Sequence, residues 1–238
     1  LDRWFPGDPA IRWREIGRSV EKRPIYMAEF GRGEEVVLFF AGFHGNEKTS
    51  IDVALRFCEE LHEAPALLDR QKVVIIPIAN PDGYVANRRH NAHGVDLNRN
   101  FPTADWGDAT LRKGDAPGSA PASEPETQAA LVLVRRLRPA RIVSLHDPLQ
   151  VNNYDGDQSL RLAKAMAVHN KYPVRGSIGY PTPGSFGTWA GHEKRIPMVT
   201  LETPAGNPEK RWNENRWALL AAVRYRSDPR TATRTSGR

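Results

Sequence analysis

Glu35-Val36-Val37-Leu38-Phe39-Phe40-Ala41-Gly42-Phe43-His44-Gly45-Asn46-Glu47 runs, after one charged residue, through an unbroken apolar stretch over 36–41 and ends in a short turn that carries the polar residues. A run of β-branched and aromatic residues without polar alternation reads as a strand buried on both faces. A helix is expected to follow over residues 49–62, with Ile51, Leu55, Cys58 and Leu61 along one side. Strand, glycine turn and helix together form the repeating unit of a wound α/β sheet.

The same alternation continues outward from this stretch. Residues 72–79 read as a strand that stops at Asn80-Pro81-Asp82-Gly83, a turn sequence. Ser123 is the expected N-cap of a helix whose apolar face is Ala130, Leu133, Val134 and Leu137. Residues 142–145 form the next strand, which ends at His146, and a helix near 159–170, a Gly/Pro loop over 172–184, a short strand over 198–201 and a helix near 207–226 complete the order. Residues 88–122 are rich in Gly, Pro and Asp and show little periodicity, which inside one domain points to a functional loop system. The expected fold is a single-domain α/β/α sandwich on a mixed, mostly parallel twisted sheet. Residues 1–15 are read as an N-terminal extension, 16–226 as the domain, and the Ser/Thr/Arg-rich residues 227–238 as a disordered tail.

Composition narrows the function. A chain of 238 residues, 39% of them hydrophobic, suits one large core better than two small ones. Its apolar runs are far shorter than the roughly 20 residues of a membrane-spanning helix, so a soluble protein is expected. One cysteine, Cys58, excludes an intrachain disulfide and a thiolate zinc site, leaving His, Asp and Glu as possible metal ligands. The net charge of +6 is spread over scattered basic residues without an aromatic-interleaved stripe, which speaks against a nucleic-acid partner and fits either an anionic substrate or an arginine-rich proteome. Residues 1–13 show no basic stretch followed by an apolar one, so a cytoplasmic location is expected. No membrane partner is expected either, and no oligomeric state is read from the sequence.

His44 and Glu47 stand three apart at a strand-to-helix junction, and a turn there can bring both side chains to one side. His146 at the end of another strand adds a third ligand. Two His and one carboxylate around a metal with an open position is the catalytic zinc arrangement. Glu202 also closes a strand, and in wound sheets sites form in the crevice beyond the carboxyl ends of strands. The other histidines read as structural or solvated at 62, 169 and 192, while His90 and His93 read as loop residues with no carboxylate placed to join them.

More specific is Gly94-Val95-Asp96-Leu97-Asn98-Arg99-Asn100-Phe101-Pro102, preceded by Asn80-Pro81-Asp82-Gly83. With Gly42-Phe43-His44-Gly45-Asn46-Glu47, Ser144-Leu145-His146 and Thr200-Leu201-Glu202, it resembles the M14 zinc carboxypeptidase family over about residues 16 to 225. Three further strings, 123–128, 144–149 and 179–189, resemble the branch of that family that trims cell-wall peptides at the γ-D-glutamyl to meso-diaminopimelate bond.

The resemblance implies one zinc ion per chain on His44, Glu47 and His146, with Glu202 as general base and then acid. Arg89 matches the family's oxyanion arginine, Asn98 and Arg99 the pair that grips the terminal carboxylate, and Tyr180 the mobile tyrosine that closes over substrate. Asp96 is read as orienting its loop. Asp147 has two readings: a cis bond to Pro148, and a contact with the second ammonium of diaminopimelate. The implied partner is a murein peptide with a free C-terminal carboxylate.

Two alternatives stand beside this. The aspartoacylase and succinylglutamate desuccinylase group shares His-Gly-Asn-Glu and Asp-Leu-Asn-Arg, although Gly184-Ser185-Phe186-Gly187-Thr188-Trp189 and Asn80-Pro81-Asp82-Gly83 favour the peptidase. An inactive wall-peptide binding module would have lost a ligand or Glu202, and all are present.

Overall fold

The computed structural model describes residues 2–68, 70–108 and 112–226. Within them lie the strands β1 (Trp13–Arg18), β2 (Pro24–Phe30), β3 (Glu35–Ala41), β4 (Gln71–Ile76), β5 (Arg141–His146), β6 (Val151–Asp155), β7 (Val174–Arg175) and β8 (Met198–Glu202). They make one sheet in the order β1-β2-β4-β3-β5-β8-β6-β7. The inner pairs β4–β3, β3–β5 and β5–β8 are parallel, as is β6–β7 at one edge, while β1–β2, β2–β4 and β8–β6 are antiparallel. The sheet is therefore mixed and mostly parallel, as expected.

Side chains of a strand alternate between faces, and both faces here are covered. Val37, Phe39 and Ala41 of β3 join one apolar cluster with Val53, Phe57 and Leu61 of α1 (Lys48–Glu63). Leu38 and Phe40 belong to a second cluster on the other face. The helices in chain order are α1, α2 (Pro81–Val85), α3 (Pro125–Leu137), α4 (Leu160–Asn170) and α5 (Pro208–Arg224). Residues of α1, α4 and α5 line the first cluster, and Ala130, Leu133 and Val134 of α3 line the second. That is the expected three-layer sandwich.

Several details differ from the sequence reading. Two antiparallel strands, β1 and β2, precede β3, and β1 begins at Trp13, inside the stretch read as an extension. Phe5 packs with Ile51, Leu55 and Ile78, so this stretch also contributes apolar contacts. Asn80-Pro81-Asp82-Gly83 opens the short helix α2 rather than a plain turn, with Asn80 accepting from the Gly83 N–H at 2.8 Å. Glu124, not Ser123, holds the N-cap position of α3, and the Ser123 hydroxyl donates to Glu124 Oε1 at 2.7 Å. Proline at the first helical position fixes that boundary one residue later than the serine suggests. The tail 227–238 lies outside the described residues. No helix among the described residues is long and apolar enough to cross a membrane.

Candidate metal centre and substrate cleft

β3, β5 and β8 are neighbours running in the same direction, so their carboxyl ends open on one rim. His146 and Glu202 are the last residues of β5 and β8 and are register partners. His44 follows the end of β3 after a turn at Gly42, whose φ of +68 is a conformation that side-chain-bearing residues rarely adopt. Glu47 takes the N-cap position of α1, yet its side chain makes no capping bond and turns to the two histidines instead.

The loops that bring the remaining residues are cemented from below by aromatic rings. Phe43 of the first loop packs 5.7 Å from Phe101 and 5.3 Å from Phe186, and Phe101 lies 6.0 Å from Trp189. The four rings come from three motifs, Phe43 from 42–47, Phe101 from 94–102, and Phe186 with Trp189 from 184–189. The apolar residues of those motifs are core, and the polar residues beside them are thereby held at one place. Such ring pairs contribute about 0.5–1.5 kcal/mol each beyond the area they bury.

His44 Nδ1 lies 2.6 Å from Glu47 Oε1 and 3.3 Å from His146 Nδ1, which is 2.9 Å from Glu47 Oε2. All three side chains are buried, and they form a group that could hold a metal ion. Ligand atoms about 2.1 Å from a tetrahedral zinc stand roughly 3.4 Å apart, so the donor set and its spacing fit that ion. The tautomer fits as well. His44 Nε2 lies 3.0 Å from Asp96 Oδ1, a buried carboxylate that accepts the ring proton and leaves the Nδ1 lone pair facing the cluster. Burial alone would lower the His44 pKa, but Glu47 and Asp96 outweigh it and raise it to about 9. Burial opposes ionisation of Glu47, and the two histidines outweigh it and bring its pKa to about 2.

The residues that the resemblance assigns to catalysis and substrate binding line the same cleft: Arg89, Asn98, Arg99, Asp147, Tyr180 and Glu202. Arg89 donates to Asp96 Oδ2 through Nε at 2.9 Å and Nη2 at 2.7 Å, while its Nη1 stands 3.8 Å from Glu47 Oε1. Asn98 Oδ1 accepts from the Phe186 N–H at 2.9 Å, which leaves its amide nitrogen as the other end. Arg99 is buried, pairs with Asp115 at 3.2 Å and donates from Nη1 to the Asn98 carbonyl at 2.8 Å. The Arg112 guanidinium stands over the Tyr180 ring at 4.2 Å. Asp147 is joined to Pro148 by a cis peptide bond and accepts from the Ser50 N–H of α1 at 3.3 Å. Burial, reinforced by Glu47, raises its pKa to about 6. Glu202 is also raised, first by burial and then by Glu47, and its Oε2 accepts from the Leu149 N–H at 3.4 Å.

Some of the site was missed in the sequence. Asp96 was read only as a loop residue, yet it contacts both His44 and Arg89. Asn80 holds the Phe43 and Arg89 carbonyls through Nδ2 at 3.2 and 3.3 Å, tying two motifs together. Asn153, Asp155 and His192 line the cleft with no motif to announce them, and Thr200 lines it too, although its motif pointed only to Glu202. His93 does have a carboxylate partner, Glu124 at 2.8 Å, and His90 bonds the Gly114 carbonyl at 2.9 Å; neither lines the cleft.

A family model described as zinc carboxypeptidase matches residues 8–213. The chain belongs to the M14 zinc carboxypeptidase family. This M14 chain is 35% identical over 236 residues to murein peptide amidase A of Escherichia coli strain K12, covering 92% of each chain. It is 33% identical over 228 residues to the protein of that name from Vibrio campbellii, covering 89% of this chain and 87% of the relative. The crystal structure of murein-tripeptide amidase from Escherichia coli O157 superposes with a TM-score of 0.76 at 31% identity, over 96% of this chain and 98% of that one. Bovine thrombin-activatable fibrinolysis inhibitor, at 22% identity over 90% of this chain and 88% of that one, shares the fold with a TM-score of 0.79. The M14 fold and hydrolytic family expected from the motifs are thus the ones found.

Proposed function

We propose that this chain is a zinc-dependent amidase of carboxypeptidase type that hydrolyses the γ-D-glutamyl to meso-diaminopimelate bond of murein peptides such as L-Ala-γ-D-Glu-meso-diaminopimelate. The observation that carries the reading is the meeting of His44, Glu47 and His146 with Glu202 on the adjacent strand end, in a cleft that also holds Arg89 and Arg99. The substrate is supported by likeness to murein peptide amidase A over nearly the full chain.

One zinc ion held by His44, Glu47 and His146 would supply a Lewis acid and acidify water at neutral pH. Glu202, buried and oriented by the Leu149 N–H, takes the proton of the attacking water and returns it to the leaving amine. Burial suits this role, because a carboxylate raised toward neutral pH is a better base for the purpose. Arg89 faces the developing oxyanion with Nη1, since its other nitrogens are fixed on Asp96. The Arg99 guanidinium and the Asn98 amide nitrogen take the terminal carboxylate, which restricts cleavage to the last residue. Tyr180 covers the bound residue from the rim. Asp147, fixed on α1 through Ser50, is one of the carboxylates available to a cationic substrate side chain.

Mass spectrometry of products from L-Ala-γ-D-Glu-meso-diaminopimelate tests the proposal. Zinc-dependent release of free diaminopimelate and L-Ala-D-Glu is expected. Turnover of an N-acyl amino acid with the tripeptide left intact would overturn it.

A further inference from the structure

Arg99 is only 3% exposed, and a guanidinium buried to that degree needs a counter-charge. Asp115 supplies it, with Oδ2 standing 3.2 Å from Arg99 Nε and a side chain 10% exposed. That nitrogen has no hydrogen-bond partner, so the two groups meet as charges and not through an aligned N–H···O bond. Among the described residues the fork is otherwise held by one bond, from Nη1 to the Asn98 carbonyl at 2.8 Å. A guanidinium has five N–H donors, so these contacts leave capacity for a second carboxylate.

The same Asp115 oxygen shapes the chain around it. Oδ2 also accepts from the Arg112 N–H at 3.0 Å, and the Asp115 N–H donates to the Arg112 carbonyl at 2.9 Å, closing a turn in which Gly114 takes a φ of +99. Residues 112–117 are then strapped onto the loop that carries Arg99. The Ala116 carbonyl accepts from the Asp96 N–H at 2.8 Å, the Pro117 carbonyl accepts from Asn100 Nδ2 at 2.7 Å, and the Gly114 carbonyl lies 2.9 Å from His90 Nε2. Asp96 and Asn100 flank Arg99 in the chain, so these bonds fix where Asp115 stands relative to it.

The turn reaches a second side chain of the cleft. Its first residue carries the guanidinium that lies 4.2 Å over the Tyr180 ring, and Tyr180 lines the cleft from another loop. A cation over an aromatic face is attracted by the ring, so the position of Arg112 bears on that of Tyr180. One carboxylate thus touches the arginine proposed to grip the substrate and the backbone of the residue that holds the tyrosine proposed to cover it.

We propose that Asp115 is a positioning residue for this clamp: its charge aims Arg99, and the turn it closes seats Arg112 against Tyr180. The inference rests on the carboxylate-binding reading of Arg99 above and deepens it. Without the Asp115 charge, Arg99 keeps its own charge and loses its aim. The loss then falls on substrates that offer a free terminal carboxylate.

The test measures kcat and KM of the zinc-loaded protein on L-Ala-γ-D-Glu-meso-diaminopimelate and on the same tripeptide amidated at its C-terminus. Asp115→Asn keeps an acceptor for the Arg112 N–H and removes the charge. KM for the free tripeptide is expected to rise about 10-fold with kcat little changed, while kcat/KM for the amidated peptide and zinc content hold. A KM at the wild-type level, or equal losses on the two substrates, overturns the inference and leaves the proposed reaction standing. Wild type that treats the two substrates alike removes the carboxylate reading of Arg99, and the inference with it. If Asp115→Asn does not fold, Asp115→Glu takes its place, because it displaces the charge by one methylene; a KM rise confined to the free tripeptide is again expected, and its absence overturns the inference. A double-mutant cycle reads the tyrosine: Arg112→Met should raise KM for the free tripeptide in wild type and have no effect in Tyr180→Ala. An Arg112→Met effect that persists without the ring separates the turn from Tyr180 and overturns that half.

Discussion

Asp96 joins His44 to Arg89: its Oδ1 lies 3.0 Å from His44 Nε2, and its Oδ2 lies 2.7 Å from Arg89 Nη2. One buried carboxylate thus sets the tautomer of a proposed metal ligand and aims the guanidinium proposed for the oxyanion. Burial opposes its ionisation, but His44, Arg89 and Arg99 outweigh this and hold it well below the usual carboxylate range. In Asp96→Asn the amide nitrogen must face one of two donors. Zinc affinity is expected to fall by about 10–100-fold, read by competition with a chelating dye. Unchanged affinity in a folded variant would remove Asp96 from the metal centre.

Glu202→Gln keeps the shape and hydrogen-bonding reach of the side chain but removes the proposed base. Activity on the murein tripeptide is expected to fall by about 10²–10⁴-fold, with zinc content at the wild-type level. Turnover close to wild type, followed by chromatographic release of diaminopimelate, would exclude the proposed proton transfer.

Arg99→Lys retains the charge and loses the planar fork. KM for the free tripeptide should rise, with a loss of about 1.5–3 kcal/mol in kcat/KM, the range for a charge-assisted hydrogen bond. A tripeptide amidated at its C-terminus should be poor for wild type and little changed by the substitution. Equal losses on both substrates would show that Arg99 does not read the carboxylate.

Asp147→Ala tests the proposed contact with the second ammonium of diaminopimelate. Its carboxylate lines the cleft and is fixed on α1 through the Ser50 N–H, so the variant should lose more activity on peptides ending in diaminopimelate than on those ending in norleucine. Equal losses on both would remove Asp147 from that contact.

The pH dependence of stability follows from Asp155. Burial raises its pKa from 3.8 to about 7 in the folded protein. Between those values the folded state binds the proton more strongly than the unfolded state, so its stabilising contribution is full below about 3.8 and is lost as pH rises through about 7. Urea unfolding of Asp155→Asn relative to wild type should therefore improve from pH 5 to pH 8, by at most about 3 kcal/mol. A difference independent of pH would mean that Asp155 is ionised without cost.

What was legible in the sequence follows from the physics of each part. β3 and β5 are buried on both faces and announce themselves as apolar runs, so their ends, and with them His44 and His146, could be placed from the sequence. β6 reads Val151-Asn152-Asn153-Tyr154-Asp155, and its polar residues exist to face a cleft and a neighbouring helix, so it carries no apolar signal. Asp155 was hidden for that reason. β1 lies at the edge of the sheet, where exposure mixes polar residues into the pattern. β2 carries an apolar signal from Ile25 to Phe30, whose apolar residues are buried apart from Tyr26, but Tyr26 and Glu29 break the run. Asp96 was visible as part of a motif, but its partner His44 is 52 residues earlier in the chain, and only the fold brings them together.

The proposed ligands and base sit on or beside the ends of β3, β5 and β8, the interior of the sheet, whereas Arg99 ends a single 3-10 turn and Tyr180 sits on a loop. In folded proteins core strands open mainly with the whole fold, while loops exchange through smaller local openings. The centre thus divides into a half that persists as long as the protein is folded and a half that can loosen by itself. Replacing the loops could redirect the enzyme to other chain ends without rebuilding the hydrolytic machinery beneath them.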